Sequence, residues 1–303
     1  MFVIKHRIVF LLLSGFFVLV SLVVIFVGGL QFSIDFTGGS ILEVLYTLER
    51  SPVEDLEAKL LGEQFTDFVI QPIGEKGVLV RTEILTDKEH SRLLEILGTK
   101  GETPFVEKRS SLVGGVVGEE LRGKAWIALV LTSLAIILYI AFAFRKVSEG
   151  VSSWVYGMVA VAALIHNIII PTGVFAILGH YFIEYQIDIL FITALLAIFG
   201  FSVNDTIVIF DRVRENLRHN KENRENKTFD VIVGESIEQT LTRSINISLA
   251  IALVLAALYF LGAPSTREFS FLLGLGVLFG TYSSICFAAP LLVWFESRKS
   301  GKA

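Results

Sequence analysis

Asp205 stands beside Asn204 inside an apolar stretch, 187–210, long enough to cross a bilayer, and Arg243 opens the next such stretch at 244–261. A carboxylate at bilayer depth costs at least a few kcal/mol, so a chain keeps one where it faces a protein interior or a wet path and has a partner. An acid and an arginine at similar depth on neighbouring membrane helices have the chemistry for ion or proton transport. Burial favours the neutral form of an acid, and a nearby guanidinium favours the charged form. These opposed effects place titration where an ion gradient can drive it. The alternative is a fixed ion pair that sets helix register, a role that needs no change of charge.

Further polar residues lie at membrane depth. Asp205 shares a helical face with Phe201, Val208 and Arg212. It precedes Asp211 by six residues, which puts it about 9 Å inside the charged end of its stretch. Asn246 follows Arg243 by one turn, and Thr242, Ser244 and Ser248 make that end of the helix unusually polar. His166 and Asn167 sit midway along another stretch, just before Pro171. An intramembrane histidine is either a hydrogen-bonded packing residue or a relay member passing protons toward Asp205. Pro171 favours a kink and frees a carbonyl for a water. Gly274, Gly276 and Gly280 point to close packing of the last helix.

Six stretches supply the elements that must position these groups: 8–30, 125–144, 151–178, 187–210, 244–261 and 269–295. About 20 apolar residues cross the hydrocarbon. With 53% hydrophobic residues and a mean hydropathy of +0.68, the chain reads as an integral membrane protein. The net charge of −4 is too small to imply nucleic acid. Cys286, alone in an apolar segment, reads as a packing residue. No zinc, P-loop or nucleophile-elbow pattern is present, so neither a cofactor, a metal nor enzymatic catalysis is expected. Lys5-His6-Arg7 ahead of 8–28 resembles a signal peptide, but the apolar run is long and lacks an A-x-A site. An uncleaved first helix is expected.

Lys and Arg set the orientation. Lys5 and Arg7, Arg145 and Lys146, the cluster from Arg212 to Lys227, and Arg298, Lys299 and Lys302 all fall on one side. The loop at 179–186 has no Lys or Arg, and the loop around Pro264 has only Arg267. Both termini are therefore expected inside and the segment 31–122 outside. The first helix would occupy 1–30 and the remaining five 123–303, with a solvated charged loop over 211–243. A short amphipathic helix is expected at 229–241, lying on the membrane surface.

The outside segment has soluble patterning. A strand is expected at 40–47, then a helix with Ser51 as cap and Pro52 in its first turn. Strands at 67–73 and 78–84 follow, joined by Gly74-Glu75-Lys76-Gly77. Thr86-Asp87-Lys88-Glu89 is a capping-box signature before a helix to Leu97, and 104–108 reads as a last strand. The order βαββαβ is ferredoxin-like. The expected fold is thus an α-helical membrane protein of six transmembrane helices, with a small α+β extracytoplasmic domain between the first two. The glycines Gly114, Gly115 and Gly118 precede the second helix and form either a hinge or a tight turn.

Several motifs together carry a family resemblance. Asp35-Phe36-Thr37-Gly38-Gly39 follows the first helix, and Val113-Gly114-Gly115-Val116-Val117-Gly118-Glu119-Glu120-Leu121 precedes the second. Gly200-Phe201-Ser202-Val203-Asn204-Asp205 runs on through Thr206 to Asp211-Arg212, and Thr240-Leu241-Thr242-Arg243-Ser244 opens the fifth helix. This pattern resembles the SecD/SecF family of the bacterial Sec protein-export machinery, on the SecF side, across essentially the whole chain. The resemblance implies membership of the RND superfamily of proton-driven transporters. It implies pairing with SecD in the cytoplasmic membrane, work with SecYEG, YajC and YidC, and preproteins as clients. It makes Asp205 the proton-carrying acid, with Arg243 as partner and Asn204 beside it, and His166, Asn167 and Asn246 relay candidates. Alternatives from the residues themselves are half of an RND-type exporter of small molecules, or a passive scaffold. Two positions depart from the pattern: many relatives carry Asp where Asn167 stands, and Pro where Gly115 stands. Asn cannot carry a proton as a carboxylate can, and Gly115 should loosen the junction.

Overall fold

A computed structural model describes residues 2–63, 65, 67–98, 103–143, 153–182 and 184–300. Arg145, Lys146 and Lys302, read as basic flanks, lie outside these residues. The chain divides into two compact units, one of residues 1–31 and 127–303, the other of residues 32–126.

Along the chain come α1 (Phe2–Lys5), α2 (Arg7–Gly28), α3 (Ile34–Thr37), β1 (Gly39–Tyr46), α4 (Val53–Gly62), β2 (Phe68–Ile73), β3 (Gly77–Thr82), α5 (Asp87–Leu97), β4 (Phe105–Val113) and α6 (Gly115–Ala143). After these, α7 (Ser153–Tyr181), α8 (Ile189–Glu222), α9 (Phe229–Leu261), α10 (Arg267–Ser283) and α11 (Ala289–Ser300) complete it, with a π-helical turn, Ser284–Ala288, joining α10 to α11. Among the described residues six helices are long and apolar enough to cross a membrane.

In the unit 32–126 the four strands lie in the order β2-β3-β1-β4, every neighbouring pair antiparallel. This is the expected βαββαβ arrangement. The alternation that predicted strands places Leu42, Val44, Tyr46, Val78 and Val80 on one face, where Leu56, Leu60, Leu93 and Leu97 of the two helices bury them. The capping box forms: Thr86 N–H donates to Glu89 Oε2 (2.8 Å) and Glu89 N–H to Thr86 Oγ1 (3.4 Å). The Thr86 N–H, and then the Thr86 hydroxyl (2.7 Å), donating to the Glu89 carboxylate hold it below the usual carboxylate range. Two local expectations fail. Pro52 occupies the cap position of α4, in extended backbone and with no side-chain cap bond, so Ser51 does not cap it. The last strand runs on to Val113 because β1 offers partners along its whole length, from Tyr46 opposite Phe105 to Gly39 opposite Val113.

The glycine motifs meet in this unit. Gly38 and Gly39 have φ of 72° and 123°, a region that favours glycine. A Cβ on Gly38 would lie 2.9 Å from the Gly115 Cα, one on Gly39 2.7 Å from the Thr82 carbonyl oxygen, and one on Gly118 3.0 Å from the Gly38 nitrogen. The backbone after α3 therefore crosses the start of α6 with no room for side chains. Gly115 itself has open space around its missing Cβ, and Gly115 and Gly118 belong to α6 rather than preceding it. Asp35 lies in α3, its N–H donating to the Ser33 hydroxyl (3.4 Å). Arg81 ties the same segment down, donating to the Phe32 carbonyl (3.0 Å) and Thr37 Oγ1 (2.7 Å).

In the membrane unit the core lies among α7, α8 and the α10–α11 helix, around Tyr156, Phe199, Phe210, Ala288 and Leu292. By contrast α2, α6 and α9 keep most of their apolar surface exposed, including Leu12, Phe16, Leu131, Leu253 and Val254. Of the three glycines expected to admit close packing, Gly276 does so, its missing Cβ pointing at Ile198 of α8. Gly280 makes ordinary contact with Ser202, and Gly274 faces open space. Two further expectations are corrected. The charged segment after Phe210 is not loop: α8 continues unbroken to Glu222, helped by ion pairs Arg214–Asp211 and Arg218–Glu222 on its own surface. Likewise 229–241 is not a separate surface helix but the first turns of α9, because no glycine or proline interrupts the helical pattern at Thr242–Ser244.

Two measurements check this reading. Gly118→Ala should disrupt the unit 32–126, seen as lost protein or raised protease sensitivity, whereas Gly123→Ala, with open space, should leave it intact. Tyr46 donates to the Leu97 carbonyl (2.9 Å), and burial pushes its phenol up to about 12. An unfolded tyrosine ionises near pH 10. Stability from the neutral phenol is thus fully present below about pH 10 and lost as pH rises toward 12. Denaturant unfolding followed by circular dichroism should show that fall, and Tyr46→Phe should abolish it while costing about 1 kcal/mol at neutral pH.

Candidate functional site

The buried face of α8 runs Phe191, Ala194, Leu195, Ile198, Ser202, Asp205, Thr206 and Ile209, a helical repeat that continues through the acid. Its start is fixed by Asp188, whose carboxylate accepts the Phe191 N–H (2.6 Å). Asp205 is consequently turned into the bundle and is only 8% exposed. Asn204, one residue earlier and about 100° around the helix, is exposed.

The group that meets Asp205 is Thr281 of α10, whose hydroxyl donates to Asp205 Oδ2 at 3.0 Å. The same Thr281 oxygen makes a short hydrogen bond with Ser248 of α9 and reaches the Val277 carbonyl at 3.2 Å. A hydroxyl carries one proton and two lone pairs. With Asp205 ionised, Thr281 donates to it and accepts from Ser248. With Asp205 protonated, the carboxyl can donate instead and Thr281 can turn to Val277. The triad therefore has a bonded arrangement for either charge state.

Asn167 organises a second cluster. Its Nδ2 donates to Ser202 of α8 (2.6 Å) and to Ser283 of α10 (2.7 Å). Both amide protons are then used, so Oδ1 is the acceptor for His166 Nδ1 at 2.9 Å, and His166 carries its proton on Nδ1. The ring stacks on Phe287 (centroids 5.0 Å apart), and its Nε2 is buried without a hydrogen-bond partner among the described residues. Pro171, four residues on, has no N–H to offer the Asn167 carbonyl, yet α7 continues through it to Tyr181. A third contact, Thr206 Oγ1 to Ser284 Oγ (3.0 Å), joins α8 to the first residue of the π turn. That turn starts immediately after Ser283, so the polar contacts and the change of helical phase coincide. π turns inside α-helices are frequent at functional sites.

Of the membrane residues singled out from sequence, the structure buries Asp205, His166 and Asn167 and leaves Asn204, Arg243 and Asn246 exposed. Among the described residues no ion pair joins Asp205 to Arg243, and no side-chain hydrogen bond runs from Asn167 to Asp205. The groups that sequence reasoning passed over are the hydroxyls of Ser202, Thr206, Thr281, Ser283 and Ser284. The run Thr281-Tyr282-Ser283-Ser284, polar within an apolar span, was the available signal.

A protein-family model described as "Protein export membrane protein SecD/SecF, C-terminal" matches residues 95–298. The chain belongs to the SecD/SecF family. A second model, the SecD/SecF GG motif, matches residues 23–47, around Gly38-Gly39. The protein translocase subunit SecF of Thermobaculum terrenum is 36% identical, over 98% of this chain and 94% of its own. That of Pseudomonas aeruginosa is 35% identical over 89% and 83%. The SecDF subunit of Thermus thermophilus is 33% identical over 92% of this chain but only 36% of its own length. The crystal structure of SecDF from Thermus, titled a translocon-associated membrane protein, matches with a TM-score of 0.83 and 32% identity over 97% of this chain and 38% of that one. A SecDF crystal structure in a super-membrane-facing form matches with a TM-score of 0.66 and 31% identity, over 99% of this chain and 39% of that one. The chain is thus a multi-pass membrane subunit of SecF type that serves protein export, in a family of translocase subunits rather than enzymes.

Asn167→Leu would leave the Ser202 hydroxyl and His166 Nδ1 without this partner, while Ser283 keeps its bond to the Gly280 carbonyl (2.9 Å). Each such buried group costs about 1–3 kcal/mol. Thermal aggregation of the detergent-solubilised protein should begin several degrees lower. Asn167→Asp should be milder, because the two serines can turn and donate to the carboxylate.

Proposed function

We propose that this subunit, paired with SecD, couples an ion gradient to the outward movement and release of preproteins at the SecYEG channel, and that Asp205 is the group whose charge changes. The observation that carries this reading is the setting of Asp205: 8% exposed, in the bundle, with a hydroxyl and, among the described residues, no cation on its carboxylate. One hydroxyl bond does not offset the cost of a charge at this depth. Its ionisation therefore responds to small changes in surroundings. A charge crossing the membrane potential yields about 2.3 kcal/mol per 100 mV, and each tenfold ion gradient adds about 1.4 kcal/mol. A few kcal/mol is enough to bias a two-state motion.

Pairing with SecD is supported by the SecDF relative, which carries the counterpart of this chain within one longer polypeptide. It is supported also by Arg243 and Asn246, which an isolated bundle leaves exposed at membrane depth. An arginine facing lipid is costly, and a partner or a wet cleft relieves that cost. The basic ends of α8 and of the last helix, with Lys5 and Arg7, favour the cytoplasmic side for both termini and the outer side for residues 32–113. On this reading the subunit lies in the bacterial cytoplasmic membrane and works with SecYEG, YajC and YidC.

Preprotein release from vesicles, with and without an imposed gradient, tests the proposal. Asp205→Asn keeps the shape and can still accept from Thr281. It should assemble normally and lose the gradient-dependent part of release. Separate H⁺ and Na⁺ gradients identify the coupling ion. If release from the wild type ignores both gradients, coupling fails and only a scaffold role remains.

A further inference from the structure

The contacts of Asn167 fix where its neighbour His166 carries a proton. Ser283 Oγ donates to the Gly280 carbonyl (2.9 Å), so toward Asn167 (2.7 Å) it can only accept. The amide nitrogen therefore faces Ser283, and Oδ1 faces His166 Nδ1 (2.9 Å). With Nδ1 as the donor, Nε2 of the neutral ring carries a lone pair. His166 is 1% exposed, and Nε2 has no hydrogen-bond partner among the described residues. A bare buried acceptor is costly, and an apolar ring would fill the same space without that cost.

Donors come to this spot from α2 and α10. The buried residues of α2 are two serines, Ser14 and Ser21. Ser21 lies against Gly173 of α7, whose missing Cβ would fall on the Ser21 side chain. Successive spans alternate in direction, so α2 and α7, the first and third, run parallel. Ser14 precedes Ser21 by seven residues, and His166 precedes Gly173 by seven. Two turns back from the Ser21–Gly173 contact, Ser14 therefore stands opposite His166. Tyr282 of α10 reaches both residues. Its hydroxyl bonds Ser14 Oγ (3.2 Å), and its ring stacks beside that of His166, with centroids 6.2 Å apart. The two hydroxyls hold two protons, and their mutual bond uses one. The second has no acceptor among the described residues. An acceptor without a donor and a donor without an acceptor thus flank one buried spot, out of direct bonding reach of each other.

We propose that one ordered water is bound between α2, α7 and α10, donating to His166 Nε2 and accepting from the Ser14–Tyr282 hydroxyl pair. A buried site with two or more polar partners is the kind that water occupies. The water joins the first membrane helix to the polar cluster around Asn167. Apart from it, Ser14–Tyr282 is the one side-chain hydrogen bond between α2 and the bundle among the described residues. Nothing in this site depends on Asp205 changing charge.

Solid-state NMR of the full chain, assembled with SecD in lipid and labelled with nitrogen-15 histidine, tests the proposal. His166→Gln identifies the signal by its loss. In the wild type Nδ1 should be protonated and Nε2 bare, and Nε2 should receive magnetisation from water at short mixing times. Ser14→Ala and Tyr282→Phe each remove one hydroxyl of the pair. The transfer should then fall by about fivefold, the weakening expected from one lost hydrogen bond. Ser21→Ala, on the same face of α2 but against Gly173, should leave it unchanged. Tyr282→Phe carries the test if Ser14→Ala does not assemble. A wild-type Nε2 out of contact with water overturns the site, and so does a neutral ring protonated on Nε2. Water contact undiminished in both hydroxyl variants, or diminished as much in Ser21→Ala, overturns the assignment of Ser14 and Tyr282 as its partners.

Discussion

The hydrocarbon offers no water, so every polar atom turned into this bundle has to find its partner on a neighbouring helix. That constraint accounts for the arrangement around α7, α8 and α10. Asn167 satisfies two serines and a histidine at once, one from its own helix and one from each of two others. Thr281 reaches Asp205 and Ser248, and Thr206 reaches Ser284. Removing any central member leaves orphaned groups in a medium that cannot hydrate them, and that penalty exceeds the modest net worth of a made bond. The stretch of α8 that carries the acid is thereby locked to its neighbours in rotation and in depth. The π turn follows directly on Ser283. An extra residue in the turn shifts the helical face by about 100°, which lets the same helix present hydroxyls to α8 and then apolar Ala288 and Leu292 to the core.

The unit of residues 32–126 obeys different rules because it is built like a soluble domain. Alternation sets one face of the sheet against two amphipathic helices, and the core is aliphatic. Its glycines mark a backbone crossing: Gly38, Gly39 and Gly118 have backbone where a side chain would stand. Gly115, where the resemblance implied a proline, is the one of this set with free space. That departure therefore changes backbone freedom at the first residue of α6 and not the packing.

The exposed faces of α2, α6 and α9 and the exposed Arg243 place the chain's deficits on one theme. An isolated bundle of these six helices leaves large apolar areas and a cation without protein cover, as expected for a subunit completed by another chain or by lipid. The longer SecDF relatives, of which this chain spans little more than a third, have the same fold with additional polypeptide.

Composition and periodicity alone determined six membrane helices, because apolar length is a local property, and the βαββαβ order, because side-chain period distinguishes strands from helices one segment at a time. That Asp205 turns into the bundle was expected of a carboxylate in an apolar span, but Phe201, read as sharing its face, is exposed, and Ser202, Thr206 and Ile209 are buried with the acid instead. Helix ends at 222 and 229 were misjudged because charge was read as loop, although charged residues are good helix formers when paired on an exposed surface. Only the tertiary structure decided which polar groups meet. A hydroxyl costs little on any helix and carries no periodic signature, so Thr281, Ser283 and Ser202 were silent in the sequence. Whether Asp205 faces Arg243 or Thr281 depends on the rotation and depth of three helices at once, and those are fixed by packing across the bundle rather than by any one segment.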